Sequence, residues 1–154
     1  MVKVGTQEWL DAYREALNNN PAYMEAAGPK GFPPNGWEGD FAFVIEPSGP
    51  LDHTIYQFIG LYHGECTDAK IVTEDDFVFV KPGEKAPEGK LAVEFIYSAK
   101  YDNWLPILRN ELDGTKALLM GKAKLKGDMA KVMRAVKAAQ ELTKTAASLD
   151  TEFL

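Results

Sequence analysis

The apolar residues of this 154-residue chain change their period twice, and those changes set what it can fold into. Up to Asn20 they recur at helical spacing, from Asp40 to Tyr97 they mostly alternate, and beyond Gly127 helical spacing returns. Helices at both ends of a central block of strands make an α+β arrangement. The length suits one core, so residues 1–154 are read as a single domain.

At the front, Trp9, Leu10, Tyr13, Ala16 and Leu17 form one stripe between Thr6 and Asn18, with Thr6 placed as an N-cap. Asn20-Pro21 opens a second, short helix that Gly28 ends. The loop from Gly28 to Trp37 is rich in Pro and Gly yet carries Phe32 and Trp37, which either anchor it to the core or border a ligand entrance.

Strands are expected from Phe41 to Ile45 and from Thr54 to Tyr62, as a hairpin, then at Ala69–Thr73, Phe77–Lys81 and Leu91–Tyr97. The last of these would show Leu91, Val93, Phe95 and Tyr97 on one face. Bulky groups on both faces of several strands suit a sheet covered on each side or curved around a cavity. Asp102–Leu112 reads as a helix with Leu105, Leu108 and Leu112 on a stripe, and Trp104 and Ile107 beside it.

From Leu119 to Gly127, apolar or small residues alternate with Lys122, Lys124 and Lys126, which predicts a strand with one dry face. Within it, Gly121 would leave room for something bulky, and Asp128 would cap a final helix running from Met129 to about Ala147. Met120, Met129 and Met133 could pack in the core or reshape around varied ligands, since methionine is flexible and polarisable.

The net charge of −6 argues against nucleic-acid binding. Its distribution is uneven: residues 116–144 carry +6 and the remainder −12. The basic stretch reads as a solvated face and a protected strand edge, or as a foothold for an anionic membrane surface. No run approaches the ~20 apolar residues of a membrane span, and the N-terminus lacks a signal-peptide core. Together with the single Cys66, which excludes an internal disulfide, this points to a cytoplasmic protein.

Catalytic patterns are sparse. Ser48, Ser98 and Ser148 lie in no nucleophile elbow, and no phosphate-binding glycine loop occurs. His63, Glu65, Cys66 and Asp68, with His53 at the far end of the preceding strand, lack the second ligand pair that would complete a metal site. Asp40, Glu94 and Asp102 are the carboxylates nearest to apolar faces, where burial would fit an acid for proton transfer. Glu94, however, is out of phase with its apolar neighbours, and the other two read as a strand start and an N-cap.

The helix at Asp102–Leu112, then Asp113-Gly114, then Gly-Lys-x-Lys-x-x-Gly-Asp at Gly121–Asp128 leading into a helix that begins with Met, resembles the sterol carrier protein-2 (SCP-2) family. The resemblance implies a curved, mostly antiparallel five-stranded sheet covered by helices, with an internal hydrophobic tunnel for sterols, fatty acids or fatty acyl thioesters. The Pro29–Pro34 insertion and the ending Glu152-Phe153-Leu154, which is not a peroxisomal Ser-Lys-Leu, depart from the family and suggest a stand-alone prokaryotic-type member. On this reading Trp104, Leu105, Leu108, Leu125, Met129, Val132, Met133 and Val136 line the cavity, Phe32 and Trp37 stand at its entrance, and Lys122, Lys124 and Lys126 face an anionic bilayer or head group. The expected function is non-catalytic binding, and transfer, of an apolar or amphipathic ligand, with no metal or other cofactor. The alternatives are a protein-interaction module of the same fold and a steroid-isomerase-like enzyme.

Overall fold

The computed structural model describes residues 1–154. Two helices come first, α1 (Gln7–Asn18) and α2 (Pro21–Ala27), preceded by a two-residue strand β1 (Val2–Lys3). The caps expected at Thr6 and Asn20 form, Thr6 Oγ1 accepting from the Trp9 N–H at 3.3 Å and Asn20 Oδ1 from the Ala22 N–H at 3.0 Å, whereas Asp102, also expected as a cap, lies inside a helix that begins at Tyr101. Strands β2 (Phe41–Glu46), β3 (Ile55–Tyr62) and β4 (Glu65–Val72) follow, then the short β5 (Phe77–Phe79) and β6 (Leu91–Val93), then β7 (Phe95–Lys100). Helices α3 (Tyr101–Leu108) and α4 (Gly114–Leu119), strand β8 (Lys124–Lys126), helices α5 (Met129–Arg134) and α6 (Val136–Ala147), and strand β9 (Thr151–Glu152) complete the chain.

Five strands make the main sheet in the order β4-β3-β2-β7-β8, antiparallel except for the β2–β7 pair. One face, carrying Phe41, Ile45, Ile59, Phe95 and Tyr97, packs into the core with the helices. The other carries Ala42, Val44, Phe58 and Val72, and meets Phe77 and Val93 from the parallel β5–β6 ribbon. The sheet is thus covered on both sides, which explains why its strands are apolar on both faces. At the chain ends β1 pairs with β9, and Trp9 Nε1 donates to Thr151 Oγ1 at 2.9 Å.

Five expectations are corrected. Leu91–Tyr97 is not one strand with one apolar face. The Glu94 and Phe95 N–H groups both donate to the Asp40 carbonyl, at 3.0 and 3.2 Å, and this local irregularity flips the phase. Val93 therefore joins the outer cluster, while Phe95 and Tyr97 face the helices. The helix expected to reach Leu112 ends at Leu108, and Asn110 just beyond it has φ of 57°.

The strand expected from Leu119 shrinks to Lys124–Lys126, because the preceding residues form α4. Asp113 Oδ1 caps that helix by accepting from the Thr115 N–H at 2.7 Å, and Ala117 is fully buried. Gly121 serves backbone geometry rather than space: its φ is +73°, and a Cβ there would meet nothing within 4 Å. Last, the final helix breaks at Ala135, with φ −106° and ψ 34°. The Asp128 cap does form, accepting from the Lys131 N–H at 3.2 Å.

Candidate functional site

The principal cavity lies between the helix-facing side of the main sheet and the helical layer. Its volume is about 90 Å³, and 16 of its 20 lining residues are hydrophobic, so water has few partners in it. Phe41, Phe43 and Ile45 of β2, with Tyr97 of β7 and Leu125 of β8, form the sheet side. Trp9 and Tyr13 come from α1, and Trp104, Ile107 and Leu108 from α3. Leu118 of α4, Val132 of α5, and Ala139 and Leu142 of α6 close it. A second cavity of about 30 Å³, walled entirely by hydrophobic residues including Tyr23 and Trp37, shares Phe41, Val132, Ala139 and Leu142 with the first. Those four side chains are the partition between the two spaces.

The hydroxyl and indole groups around the main cavity are turned to protein acceptors. Tyr97 Oη donates to the Gly114 carbonyl at 2.7 Å, and Tyr13 Oη to the Leu142 carbonyl at 3.1 Å. Thr143 Oγ1 donates to the Ala139 carbonyl at 3.3 Å, Trp104 Nε1 to the Val44 carbonyl at 3.0 Å, and Thr115 Oγ1 to Asp113. Burial, then the charge of Asp113, holds the Tyr97 phenol above the usual tyrosine range, so it stays neutral. No Asp, Glu, Lys, Arg or His reaches the wall.

Of the ten residues expected from sequence, Trp104, Leu108, Leu125 and Val132 line the main cavity, and Trp37 lines the second with Val132. Trp37 is buried, donates from Nε1 to the Gly39 carbonyl at 2.8 Å, stacks on Phe41 and meets Phe95 at a tilt. Phe32 is half-buried edge-on to Trp37, with ring centres 5.4 Å apart. Leu105 and Val136 are half-buried outside both walls, and Met129 and Met133 are each 39% exposed. The first turns of α5 place Val132 inward and both methionines outward.

The residues not foreseen come chiefly from α1, β2 and α6. The alternation of Phe41, Phe43 and Ile45 was a usable signal for a shared face, but the element opposing that face is set by tertiary packing alone.

The carboxylates considered for proton transfer stand elsewhere. Asp40 Oδ1 accepts from the Leu61 N–H at 3.0 Å, beside the register shift between β3 and β4, and burial raises its pKa. Glu94 Oε1 is sealed from solvent without a hydrogen bond and lies 3.5 Å from the Lys131 ammonium. Asp102 is exposed, its N–H donating to Ser48 Oγ at 2.8 Å. His63 Nε2 pairs with Glu38 at 2.7 Å, and no three His, Cys, Asp or Glu groups converge as a metal site would need.

Lys124 and Lys126 are exposed on β8, in phase opposite to Leu125. Leu125 faces the cavity beside Tyr97, so the two lysines lie on the other side of the sheet, where Lys126 Nζ sits 4.5 Å over the Phe79 ring.

A mostly antiparallel five-stranded sheet and a helical layer around an apolar cavity define a small α+β protein of the sterol-carrier fold. The sequence of residues 57–140 matches the SCP-2 sterol transfer family, and the chain belongs to that family. It is similar to a crystal structure of sterol carrier protein 2, at 28% identity and a TM-score of 0.73, over 96% of this chain and 99% of that one. It is equally similar to a conserved hypothetical protein of Thermus thermophilus, described as possibly a sterol carrier protein: 28% identity, TM-score 0.75, over 99% and 93% of the two chains. A sterol carrier protein domain of Helicoverpa armigera shares the fold at 18% identity and a TM-score of 0.51, over 92% of this chain and 87% of that one. No curated protein matches the chain at a significant level. No helix is long and apolar enough to cross a membrane.

Proposed function

We propose that this protein is a non-catalytic carrier that binds an apolar or amphipathic molecule, such as a fatty acid, a fatty acyl thioester or a sterol-like lipid, and passes it on. Family membership supports lipid binding or transfer in general terms. The observation that carries the reading for this chain is the wall of the main cavity, which is apolar, free of charge and has its hydroxyls committed to protein acceptors. A wall without an acid, a base or a cation supports holding a ligand better than transforming one.

At about 90 Å³ the cavity is smaller than the ~300 Å³ typical of a small-molecule site, so the proposed ligand must widen it. Parting Phe41, Val132, Ala139 and Leu142 would join the two cavities into a tunnel. Burying ~300 Å² of apolar ligand gives roughly 7 kcal/mol before ordering costs. That leaves room for micromolar binding after the walls have moved. Phe32 and Trp37 are proposed as the side of entrance, since Trp37 borders the smaller cavity and the Phe32 loop lies against it. The unpaired thiol of Cys66 supports a reducing, cytoplasmic location.

Native mass spectrometry of protein purified from cells, followed by organic extraction, should show a co-purifying lipid or uptake of an added fatty acyl probe. Ala139→Leu, which fills space shared by both cavities, should abolish uptake with the fold retained. A clean apo mass and no uptake by the parent protein would overturn the carrier reading in favour of an interaction module.

A further inference from the structure

Gln57 is the one side-chain amide in the wall of the main cavity. It belongs to β3, paired with Phe43 on one side and Ile71 on the other, and it points to the helix-facing side in phase with Ile59. At 4% exposure it is among the few buried polar residues of the protein. A buried amide between apolar strands is costly unless its hydrogen-bonding groups are used.

Only part of that capacity is used. Nε2 donates to the Phe43 carbonyl at 3.3 Å, and because a carbonyl can only accept, this contact fixes which end of the amide is nitrogen. The other end, Oε1, receives no hydrogen bond from any protein group. The neighbouring hydroxyls are committed elsewhere: Tyr13, Tyr97 and Thr143 donate to main-chain carbonyls and Thr115 to Asp113. The cavity therefore offers one acceptor without a protein donor, on a residue only 4% exposed, at the sheet and surrounded by apolar surface.

We infer that Gln57 selects the chemistry of the buried end of the ligand, favouring a neutral group that carries a hydrogen-bond donor, such as an alcohol. The group must be neutral because the wall holds no Lys, Arg or His to compensate a carboxylate. It must carry a hydrogen because the unserved atom is an acceptor. An anionic head would stay outside, with only its chain in the cavity. A hydrogen-bonding site discriminates against an analogue lacking the group because its own buried atom is then left unpaired. The inference rests on the carrier reading above and specifies its ligand class.

The test compares 1-dodecanol, its methyl ether 1-methoxydodecane, and dodecanoate at pH 8, binding being followed by the intrinsic fluorescence of Trp9 and Trp104, which border the cavity. The parent protein should prefer the alcohol to the ether, although the ether is the more apolar of the two. Gln57→Leu should weaken dodecanol about fivefold to tenfold and leave the ether and dodecanoate within about twofold. Gln57→Met serves as a second variant of similar length. Equal binding of alcohol and ether by the parent protein, or an equal loss for all three ligands in both variants, would overturn the assignment while leaving the carrier reading intact. No binding of any of the three by the parent protein would overturn both.

Discussion

Cys66 shows how much a single side chain owes to its surroundings. It is the second residue of β4, near the β3–β4 turn, where a thiol would be expected to meet solvent, yet it is fully buried. Asn18 ties it down, donating from Nδ2 to the Cys66 carbonyl at 3.0 Å and accepting from its N–H at 2.8 Å. Burial pushes the thiol up to about 11, so the folded protein holds this proton more tightly than the unfolded chain. The stability linked to it is fully present below about pH 9, the ordinary thiol value, and is lost as pH rises towards 11, on the order of 2 to 3 kcal/mol. Buried Tyr13, Tyr23 and Tyr97, all raised by burial, add to the same alkaline loss. Urea unfolding at pH 8 and pH 10.5 should show this fall, and it should be smaller in Cys66→Ala. An equal fall in both proteins would assign the effect to the tyrosines alone. Gln57 teaches a related lesson: it shares a face of β3 with Ile55 and Ile59, but only the packed structure shows that its oxygen goes unserved.

Among the elements, α5 is the one whose course least follows from local preference. No Gly or Pro interrupts Met129–Ala147, and an uninterrupted helix is what the spacing predicts. The break at Ala135 lets a six-residue helix lie across Trp37 and Phe95 while α6 packs on α2 and α4. Lys131 holds it there: its ammonium lies 4.7 Å over the Trp37 ring, 3.5 Å from Glu94 Oε1, and donates to the Glu38 carbonyl. The approach is close enough to need glycine at Gly127, where φ is +134° and a Cβ would lie 2.6 Å from the Glu94 carbonyl oxygen. Removing the cation strands a carboxylate oxygen that has no other partner. Lys131→Met should therefore destabilise the protein by about 2 kcal/mol, and adding Glu94→Gln should recover part of that loss. Chemical denaturation of the two variants and Glu94→Gln alone completes the cycle. Strictly additive effects would mean that Lys131 acts through its packing on Trp37 and not through the charge pair.

At the level of the whole molecule, the charge and the cavity are separated by the sheet. Lys124 and Lys126 share its outer side with the β5–β6 ribbon, whereas Leu125 between them faces the cavity. Replacing Lys122, Lys124 and Lys126 together by Gln should leave ligand affinity within about twofold and slow transfer to anionic vesicles, with no effect on neutral ones. A loss of affinity equal to the loss of transfer would place the lysines at the ligand instead.

The pattern of residues alone determined that helices flank a central block of strands, the caps at Thr6, Asn20 and Asp128 and, through Gly121–Asp128, the resemblance to the family, but neither α4 nor the break at Ala135. What it determined is written in neighbours a few positions apart, because periodicity and capping are local. Only the tertiary structure decided which face of each element looks inward on the cavity. The flip at Glu94 reversed the phase of Val93 against Phe95, and the break at Ala135 turned Met129 and Met133 to solvent while keeping Val132 at the wall. Both depend on partners distant in the chain, the Asp40 carbonyl in one case and Trp37 with Glu94 in the other, and no local pattern encodes a distant partner.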